Sequence, residues 1–147
     1  MRDVSGLVGG RGTTPKFRVW DKVTQAMGVV EAIDYVDNKI YTFYRKVVRR
    51  YIPFEEAVLM QSTGLKDKNG IEVFDGYIVK CCRLFNDSLS EYVGQVKFVD
   101  FGWNIVDKAD THDPFYNYKD GCPDEIREIE NIGNIHENPE LLERLEG

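Results

Sequence analysis

The chain has 147 residues, of which 42% are hydrophobic and 30% are charged. This length and composition favour one globular domain and exclude a chain that is disordered throughout. No apolar run approaches the roughly 20 residues that a membrane span needs. The start of the chain lacks the apolar segment of a secretory signal, so we expect a flexible leader at 1–15 and a single domain at 16–147.

The charge distribution and the cysteine content indicate the possible partners and the cellular compartment of the protein. The formal net charge is −6, and residues 107–147 hold 12 acidic and 4 basic side chains, which leaves residues 1–106 at a net +2. An acidic block is commonly just solvated, but it can also dock on a basic surface of a neighbouring subunit. The 3 cysteines, two of them adjacent, do not fit a disulfide framework. We therefore expect a reduced cytosolic protein with one or two buried thiols.

Strand patterns dominate the first part of the chain. Three segments are rich in alternating apolar, β-branched or aromatic residues: 16–21, 27–36 and 39–46. The dipeptide Asp37-Asn38 separates the second segment from the third and predicts a two-residue hairpin turn. Pro53 interrupts the chain after them. Residues 55–61 fit two helical turns or a strand equally well.

The stretch "GLKDKNGIEVFDGYIV" (64–79) concentrates turn residues. Glycine supplies the positive φ that tight reversals need, so we predict turns at 67–70 and at 75–76, with a very short strand between them. A longer strand follows at 77–85. Short strands and sharp corners are typical of small curved barrels, so the role of this stretch is geometric rather than catalytic.

The strand pattern continues to the end of the chain. Further strands are predicted at 91–100, 103–107 and 126–136. A turn at Phe101-Gly102 joins the first two, Gly94 is a candidate bulge and Gly133 a candidate kink. Residues 108–126 lack periodicity and contain many breakers, which predicts a long loop.

The last residues carry helix signals. Asn138 is a candidate N-cap and Pro139 suits the first helical position, which predicts a helix at 138–146. A helix this short is not stable alone and must dock on another element. The whole pattern predicts a mainly β fold: a small, strongly curved sheet or barrel of short antiparallel strands with one short C-terminal helix.

Three of these segments also carry a family resemblance. They are "FRVWD" (17–21), "LMQSTGLKDKNG" (59–70) and "IGNIHENPELL" (132–142). In order and spacing they resemble the YopX family of phage and prophage proteins, over residues 16–147. The resemblance implies a mainly β, self-associating protein that acts in the bacterial host cytoplasm, with no enzymatic activity and no cofactor to carry over. The sequence departs from the usual family pattern at Ile71, where Lys is more usual, and at Tyr77, where Asp is.

Candidate catalytic and metal-binding residues are few. His112 lies between Asp110 and Asp113, an arrangement that suits a general base or a metal ligand but also a plain polar loop. His136 is expected at the surface. The loop 107–122 also contains Asp107, Asp120 and Cys122, yet its spacing matches neither a calcium loop nor a zinc signature. A metal-dependent enzyme built on this loop is therefore an alternative only, and we expect no catalytic residue, metal or cofactor.

The segment 41–54 interleaves basic with aromatic side chains. Its cations are Arg45, Lys46, Arg49 and Arg50. Cations follow phosphates and aromatic rings stack on bases, so this patch suits single-stranded nucleic acid or RNA. The net charge of −6 argues against a strong nucleic-acid footprint. The same patch could instead be a solvated hairpin end, or could meet the acidic region after Asp107.

The sequence therefore favours a non-enzymatic phage accessory protein that works by binding. Its expected partners are a second copy of itself and a host or phage protein, with nucleic acid as an alternative and no membrane association. Arg45, Lys46, Arg49 and Arg50 are the candidate partner-binding residues, and the acidic region after Asp107 is the complementary surface. This hypothesis expects charge reversal at Arg49 and Arg50 to weaken self-association and its salt sensitivity.

Overall fold

The computed structural model describes residues 16–44, 48–85, 88–115 and 126–144. Most of these residues lie in β-strands, so the mainly β prediction is confirmed. The chain divides into two compact units, Met1–Gln61 and Ser62–Gly147. The expected leader at 1–15 lies outside the described residues, and the single domain at 16–147 stays a prediction. No helix in the described ranges has the length and apolar character needed to cross a bilayer.

The first unit is an antiparallel sheet in the order β4-β3-β2-β1-β5. Its strands are β1 (Phe17–Asp21), β2 (Ala26–Asp34), β3 (Lys39–Tyr44), β4 (Val48–Pro53) and β5 (Ala57–Lys66), with a 3₁₀ turn at Phe54–Glu56. The predicted hairpin between β2 and β3 is present, and Asn38 has a φ of 57° in its turn. Its loop has four residues, 35–38, rather than the two predicted, because Asp34 pairs with Lys39 across it. Val19, Ile40 and Ile52 form a buried cluster on one face. Of the ambiguous residues 55–61, the first two complete the 3₁₀ turn and 57–61 begin the strand β5.

The second unit contains the end of β5 and the remaining elements. These are β6 (Glu72–Phe74), β7 (Tyr77–Phe85), β8 (Ser88–Val99), β9 (Gly102–Asp107), β10 (His112–Pro114), β11 (Ile126–Asn134) and α1 (Leu141–Arg144). Five strands form an antiparallel sheet in the order β10-β9-β8-β7-β11, and the end of β5 pairs with β6. Ile78, Val96 and Ile105 are completely buried. Over the described residues both strand orders are open, so the sheet form of the prediction holds and the barrel form does not.

Three details differ from the sequence prediction or refine it. Gly94 is not a bulge: its pairing with β7 is continuous, and a Cβ there would lie 2.6 Å from Cγ2 of Ile105. Glycine is needed for this close approach rather than for a bend. The irregularity at Gly133 is confirmed, since the register with β7 shifts between Asn131 and Gly133. The turn between β8 and β9 has Asp100 and Phe101 at its centre, one residue earlier than predicted.

The predicted loop and helix are described only in part. A short strand, β10, lies within the segment predicted as a long loop, and residues 116–125 are outside the described ranges. The helix consists of one described turn, Leu141–Arg144, and residues 145–147 are also outside. The side chain of Asn138 accepts the N–H of Asn134 at 3.3 Å. It therefore fastens the end of β11.

Candidate functional site

The structure describes the predicted basic patch only in part. Arg45 and Lys46 lie outside the described residues. Arg49 pairs through its backbone with Phe43, and its side chain is not described. Arg50 is exposed at a position opposite Thr42 in the β3–β4 pair. The role of Arg45, Lys46, Arg49 and Arg50 in partner binding therefore stays a prediction.

Strand alternation separates Arg50 from the neighbouring aromatic rings. Side chains on a strand alternate between the two faces of the sheet, so Arg50 shares a face with Ile52, while Tyr51 occupies the other. Tyr51 stands directly opposite Tyr41, with ring centroids 6.1 Å apart, and Nζ of Lys39 lies 4.3 Å from the Tyr51 centroid. Lys39, which the sequence did not single out, is the described cation on this aromatic face. We call Lys39, Tyr41 and Tyr51 the lysine–tyrosine face.

Arg50 takes part in the electrostatics of the first unit. It lines a small cavity of about 80 Å³ together with Asp21, Thr24 and Thr42. Burial raises the pKa of Asp21, but the N–H groups of Thr24 and Val23, the Thr24 hydroxyl and the charge of Arg50 together hold that pKa below its ordinary value. A charge reversal at Arg50 would therefore act on the fold as well as on any partner.

The acidic residues after β9 do not converge on one point. An Asp107 oxygen accepts the N–H of Thr111 at 2.9 Å, and an Asp113 oxygen accepts the Tyr92 hydroxyl at 2.5 Å. His112 Nε2 lies 3.2 Å from an oxygen of Asp110. Across the described ranges, no group of three or more His, Cys, Asp or Glu side chains is arranged to hold a metal ion. Asp120 and Cys122 of the predicted loop site lie outside those ranges.

His136 is half-buried and faces a carboxylate rather than open solvent. Burial lowers its pKa, while the charges of Asp75 and Glu137 raise it, and burial prevails. For Asp75, burial raises the pKa, and the charge of His136 together with the N–H of Gly76 opposes that rise only in part. The pair couples the β6–β7 turn to the segment after β11. Cys81 is a buried thiol, as predicted, and Cys82 a partly buried one, whereas Cys122 is not described.

The turn between β8 and β9 carries an aromatic residue in an unfavourable conformation. Asp100 and Phe101 have φ values of 52° and 67°. Two central residues with positive φ define the hairpin turn that strongly prefers Asn-Gly. A residue with a Cβ in the left-handed region costs roughly 1–2 kcal/mol, more readily tolerated by Asn or Asp than by a bulky ring. The Phe101 side chain is nevertheless 100% exposed, so no burial within the protein offsets this cost.

Neighbouring side chains hold this turn in place. The buried Asn104 donates from Nδ2 to the carbonyl oxygens of Val99, at 3.1 Å, and Gly102, at 3.2 Å. Phe98 is 54% exposed and packs edge-on against Trp103, with ring centroids 5.2 Å apart. The turn therefore presents aromatic surface to solvent from a fixed backbone.

A cleft of about 650 Å³ opens beside this turn, entirely within the second unit. Its volume lies in the range of small-ligand and side-chain pockets. Its lining includes aromatic and apolar residues from three separate segments: Leu65, Phe101, Trp103 and Phe115. Its polar groups include His112 and Asp100, and its described walls contain no Lys or Arg. We call this feature the aromatic cleft.

The sequence prediction placed the turn one residue too late and missed the cleft. The turn was placed at Phe101-Gly102, where the glycine would have taken the positive φ. The available signal was the spacing of "FVDFGW" (98–103), in which two strands separated by two residues leave Asp-Phe at the positions that Asn-Gly usually occupies. The cleft could not be inferred, because it joins β5, β9 and the segment around β10.

The comparisons with known proteins agree on one group. The family model described as "YopX protein" matches residues 16–143. The structure is similar to the crystal structure of protein EF1440 from Enterococcus faecalis, at 29% identity and a TM-score of 0.53, covering 89% of this chain and 99% of that one. It is also similar to the crystal structure of protein yopX from Bacillus subtilis, at 26% identity and a TM-score of 0.55, covering 86% of this chain and 97% of that one. No curated protein matches the chain.

Proposed function

The chain belongs to the YopX protein family, and we propose that this member is a non-enzymatic phage or prophage accessory protein that acts by binding another protein in the bacterial cytoplasm. Its first partner is a second copy of itself. The observation that carries the proposal is Phe101, a fully exposed ring held in a left-handed turn. Strain at a solvent-exposed position is a pointer to function, because the fully exposed Phe101 gains no burial among the described residues that would offset the strain.

The residues around Phe101 have the composition of a protein-binding surface. Aromatic residues are enriched in the cores of protein interfaces and dominate their binding energy. Phe98 and Phe101 are both more than half exposed, and Trp103 packs against Phe98. A partner that covers these rings would gain hydrophobic burial, which amounts to about 25 cal/mol per Å² of apolar surface.

Charge favours a second copy as the partner. The first 106 residues carry a net +2 and the remainder carries −8. The lysine–tyrosine face lies in the first unit. The exposed carboxylates of Asp100, in the β8–β9 turn, and Asp110, in the β9–β10 turn, lie in the second. Complementary potentials of this kind steer two copies together and set the register of the contact.

Light scattering across a salt series tests the proposal. The wild type is expected to form an oligomer that loosens as salt rises, because screening weakens contacts between exposed charges. Arg49→Glu/Arg50→Glu should associate more weakly and with less salt dependence. Since Arg50 also acts on Asp21, the surface variant Lys39→Glu provides a second reading that does not disturb that cavity.

The matched control is Lys22→Glu, which makes the same charge change at an exposed position in the turn after β1. It should associate like the wild type. A wild type that is monomeric at every salt concentration would contradict the proposal. So would a pair of variants, Lys39→Glu and Arg49→Glu/Arg50→Glu, that both associate normally.

The lysine–tyrosine face favours single-stranded nucleic acid as the second candidate ligand. A lysine over one tyrosine ring, with a second ring 6.1 Å away, offers both a phosphate contact and a stacking surface. This candidate expects an oligonucleotide to bind with an affinity that falls steeply with salt and falls further in Tyr51→Ala. Oligonucleotide binding that is unchanged in Tyr51→Ala would exclude this face as the site.

A further inference from the structure

We infer that the Phe101 ring of one copy inserts into the aromatic cleft of a second copy, while the second copy inserts its own Phe101 ring into the cleft of the first. This inference rests on the proposed self-association and names the contact that carries it. The ring and the cleft lie side by side in the second unit, because Phe101 is also among the residues that border the cleft. A two-fold rotation between two copies therefore brings both ring-and-cleft pairs together at once.

The Phe101 side chain is not packed into the cleft of its own chain. It is fully exposed, although its residue borders that cleft, so no described residue covers the ring. The two hydrogen bonds from Asn104 to the carbonyl oxygens of Val99 and Gly102 hold the backbone that carries it. A side chain presented from a fixed backbone loses less freedom on binding, which lowers the entropic cost of association. Phe101 is therefore suited to enter a site on another molecule.

The cleft has the size and the lining that a phenyl ring needs. An apolar cavity of about 150 Å³ is large enough to bind benzene, and the cleft has a volume of about 650 Å³. Leu65, Trp103 and Phe115 contribute to its lining, and an aromatic guest packs well beside such side chains. The lining residues that the structure describes include no Lys or Arg, so an uncharged ring meets no cation there that it would strip of water.

The area involved favours an exchange of two rings over the insertion of one. A Phe side chain buries roughly 150–250 Å² when it is fully covered, and it covers a similar area of the cleft, so one inserted ring removes roughly 300–500 Å² from water. A stable protein interface buries about 1,200–2,000 Å² in total. Two exchanged rings supply about half of that area. Nearby exposed surface, such as Phe98, is available for the rest.

A small aromatic probe tests the cleft on a protein that lacks the guest ring. In Phe101→Gly no partner ring can occupy the cleft, and glycine accepts the positive φ of this position, so the fold is expected to remain intact. N-acetyl-phenylalanine amide should shift the NMR signals of the Trp103 side chain and leave those of Trp20, which does not line the cleft, unchanged. N-acetyl-alanine amide, which lacks the ring, should shift neither. Equal effects of the two amides on Trp103 would contradict the inference.

A mixing experiment tests whether ring and cleft meet between copies. Phe101→Gly removes the ring, and Leu65→Gln places an amide in the lining of the cleft without changing the charge. Each variant alone should lose roughly tenfold or more in self-association affinity by sedimentation, because a pair of identical copies contains the altered contact twice. Leu65→Met, which keeps an apolar side chain, is the matched control and should associate nearly like the wild type. Circular dichroism checks that all three variants are folded.

An equimolar mixture of Phe101→Gly and Leu65→Gln should associate more tightly than either variant alone and more weakly than the wild type. The reason is that the mixed pair keeps one of the two contacts intact, with the ring from the Leu65→Gln copy in the cleft of the Phe101→Gly copy. A mixture that associates no more tightly than its components would show that ring and cleft do not meet, and the inference would be wrong.

The remaining outcomes separate the inference from the proposed function. If Phe101→Gly loses association while Leu65→Gln associates like the wild type, the ring contacts another surface of the second copy. The inference is then wrong, and the proposed self-association stands. A wild type that is monomeric at every salt concentration would overturn the proposed self-association itself, and the inference with it.

Discussion

Two turns of the second unit both need a residue with positive φ, but they fill that position with different kinds of residue. In the turn before β6, Gly70 takes a φ of 82°, and Asp67 gathers the surrounding N–H groups. In the turn between β8 and β9, Phe101 takes a φ of 67° and its ring points to solvent. The first turn matches residue to conformation and secures the fold, whereas the second holds a mismatched residue. We therefore propose that folding requires the first turn and that the second serves an external contact.

Asp67 shows what a fully satisfied turn looks like. Its buried carboxylate accepts the N–H groups of Asn69, at 2.9 Å, and Ile71, at 2.8 Å, through one oxygen. Its other oxygen accepts the N–H of Asn131 in β11 at 2.9 Å. The Lys68 N–H also donates to the Ile129 carbonyl at 3.0 Å. This turn therefore fastens the outer edge of β11 as well as its own loop.

The largest expected effect is the loss of this carboxylate. Asp67→Ala leaves buried N–H groups without acceptors, and we expect a decrease of about 3 kcal/mol in the free energy of unfolding, measured by urea denaturation. Asp34 is the matched control, because its carboxylate accepts the N–H groups of Val36 and Asp37 in an exposed turn. Asp34→Ala should cost less than about 1 kcal/mol. Equal decreases in the free energy of unfolding for Asp67→Ala and Asp34→Ala would contradict the claim that Asp67 contributes more to the fold than an exposed turn carboxylate.

The titration of Asp67 predicts how the stability of the protein changes with pH. Burial raises the pKa of Asp67, but the N–H groups of Asn131, Ile71 and Asn69 outweigh burial and hold the pKa below its usual 3.8. A depressed folded pKa means that the stabilisation is present above pH 3.8 and is lost as the pH falls through the folded pKa. Asp67→Asn should therefore lose stability at neutral pH and approach the wild type in strong acid.

The second largest effect concerns the strained β8–β9 turn, where a substitution should raise the free energy of unfolding rather than lower it. Phe101→Gly relieves the left-handed strain, and we expect the free energy of unfolding to rise by about 1 kcal/mol while self-association weakens. If the Phe101 ring were needed for folding, the Phe101→Gly variant would instead have a lower free energy of unfolding than the wild type. A lower unfolding free energy in the folded monomer would show that the ring supports the fold and would contradict the account.

The smallest expected effect is a change in the pKa of His136 when Asp75, in the turn between β6 and β7, is substituted. Burial lowers the pKa of His136, and the charge of Asp75 counteracts part of that decrease. Asp75→Asn removes this charge, so the His136 pKa should fall further, as followed by the NMR chemical shifts of its ring during a pH titration. Asp110→Asn, which changes a carboxylate beside His112 instead, should leave His136 unchanged. An unaltered His136 pKa in Asp75→Asn would exclude the coupling.

The sequence predicted the parts of the fold that depend on local chemistry. The Asp37-Asn38 hairpin, the strand at 77–85 and the irregularity at Gly133 follow from turn propensity and alternation, and all are present. Gly94 was misread because a close approach to Ile105 depends on a neighbouring strand. That information is tertiary, and a glycine within a strand pattern is compatible with a bulge or with close packing.

The candidate site was less predictable than the fold. The basic patch was drawn from sequence proximity, but strand alternation places Arg50 on the face opposite Tyr51. The aromatic cleft combines Leu65 with Trp103 and Phe115, which are far apart in sequence. The sequence prediction placed Phe101 in the β8–β9 turn but put the turn one residue too late, and that error concealed the positive φ of Asp100 and Phe101.

The most direct test of the central claim is the solution mass of the wild type and Phe101→Gly, measured side by side by light scattering at low salt. The account predicts an oligomeric wild type and a folded variant whose mass approaches that of a monomer. Equal oligomeric masses for the two proteins, or a wild type that is already monomeric, would contradict the claim that this turn is held for contact between copies.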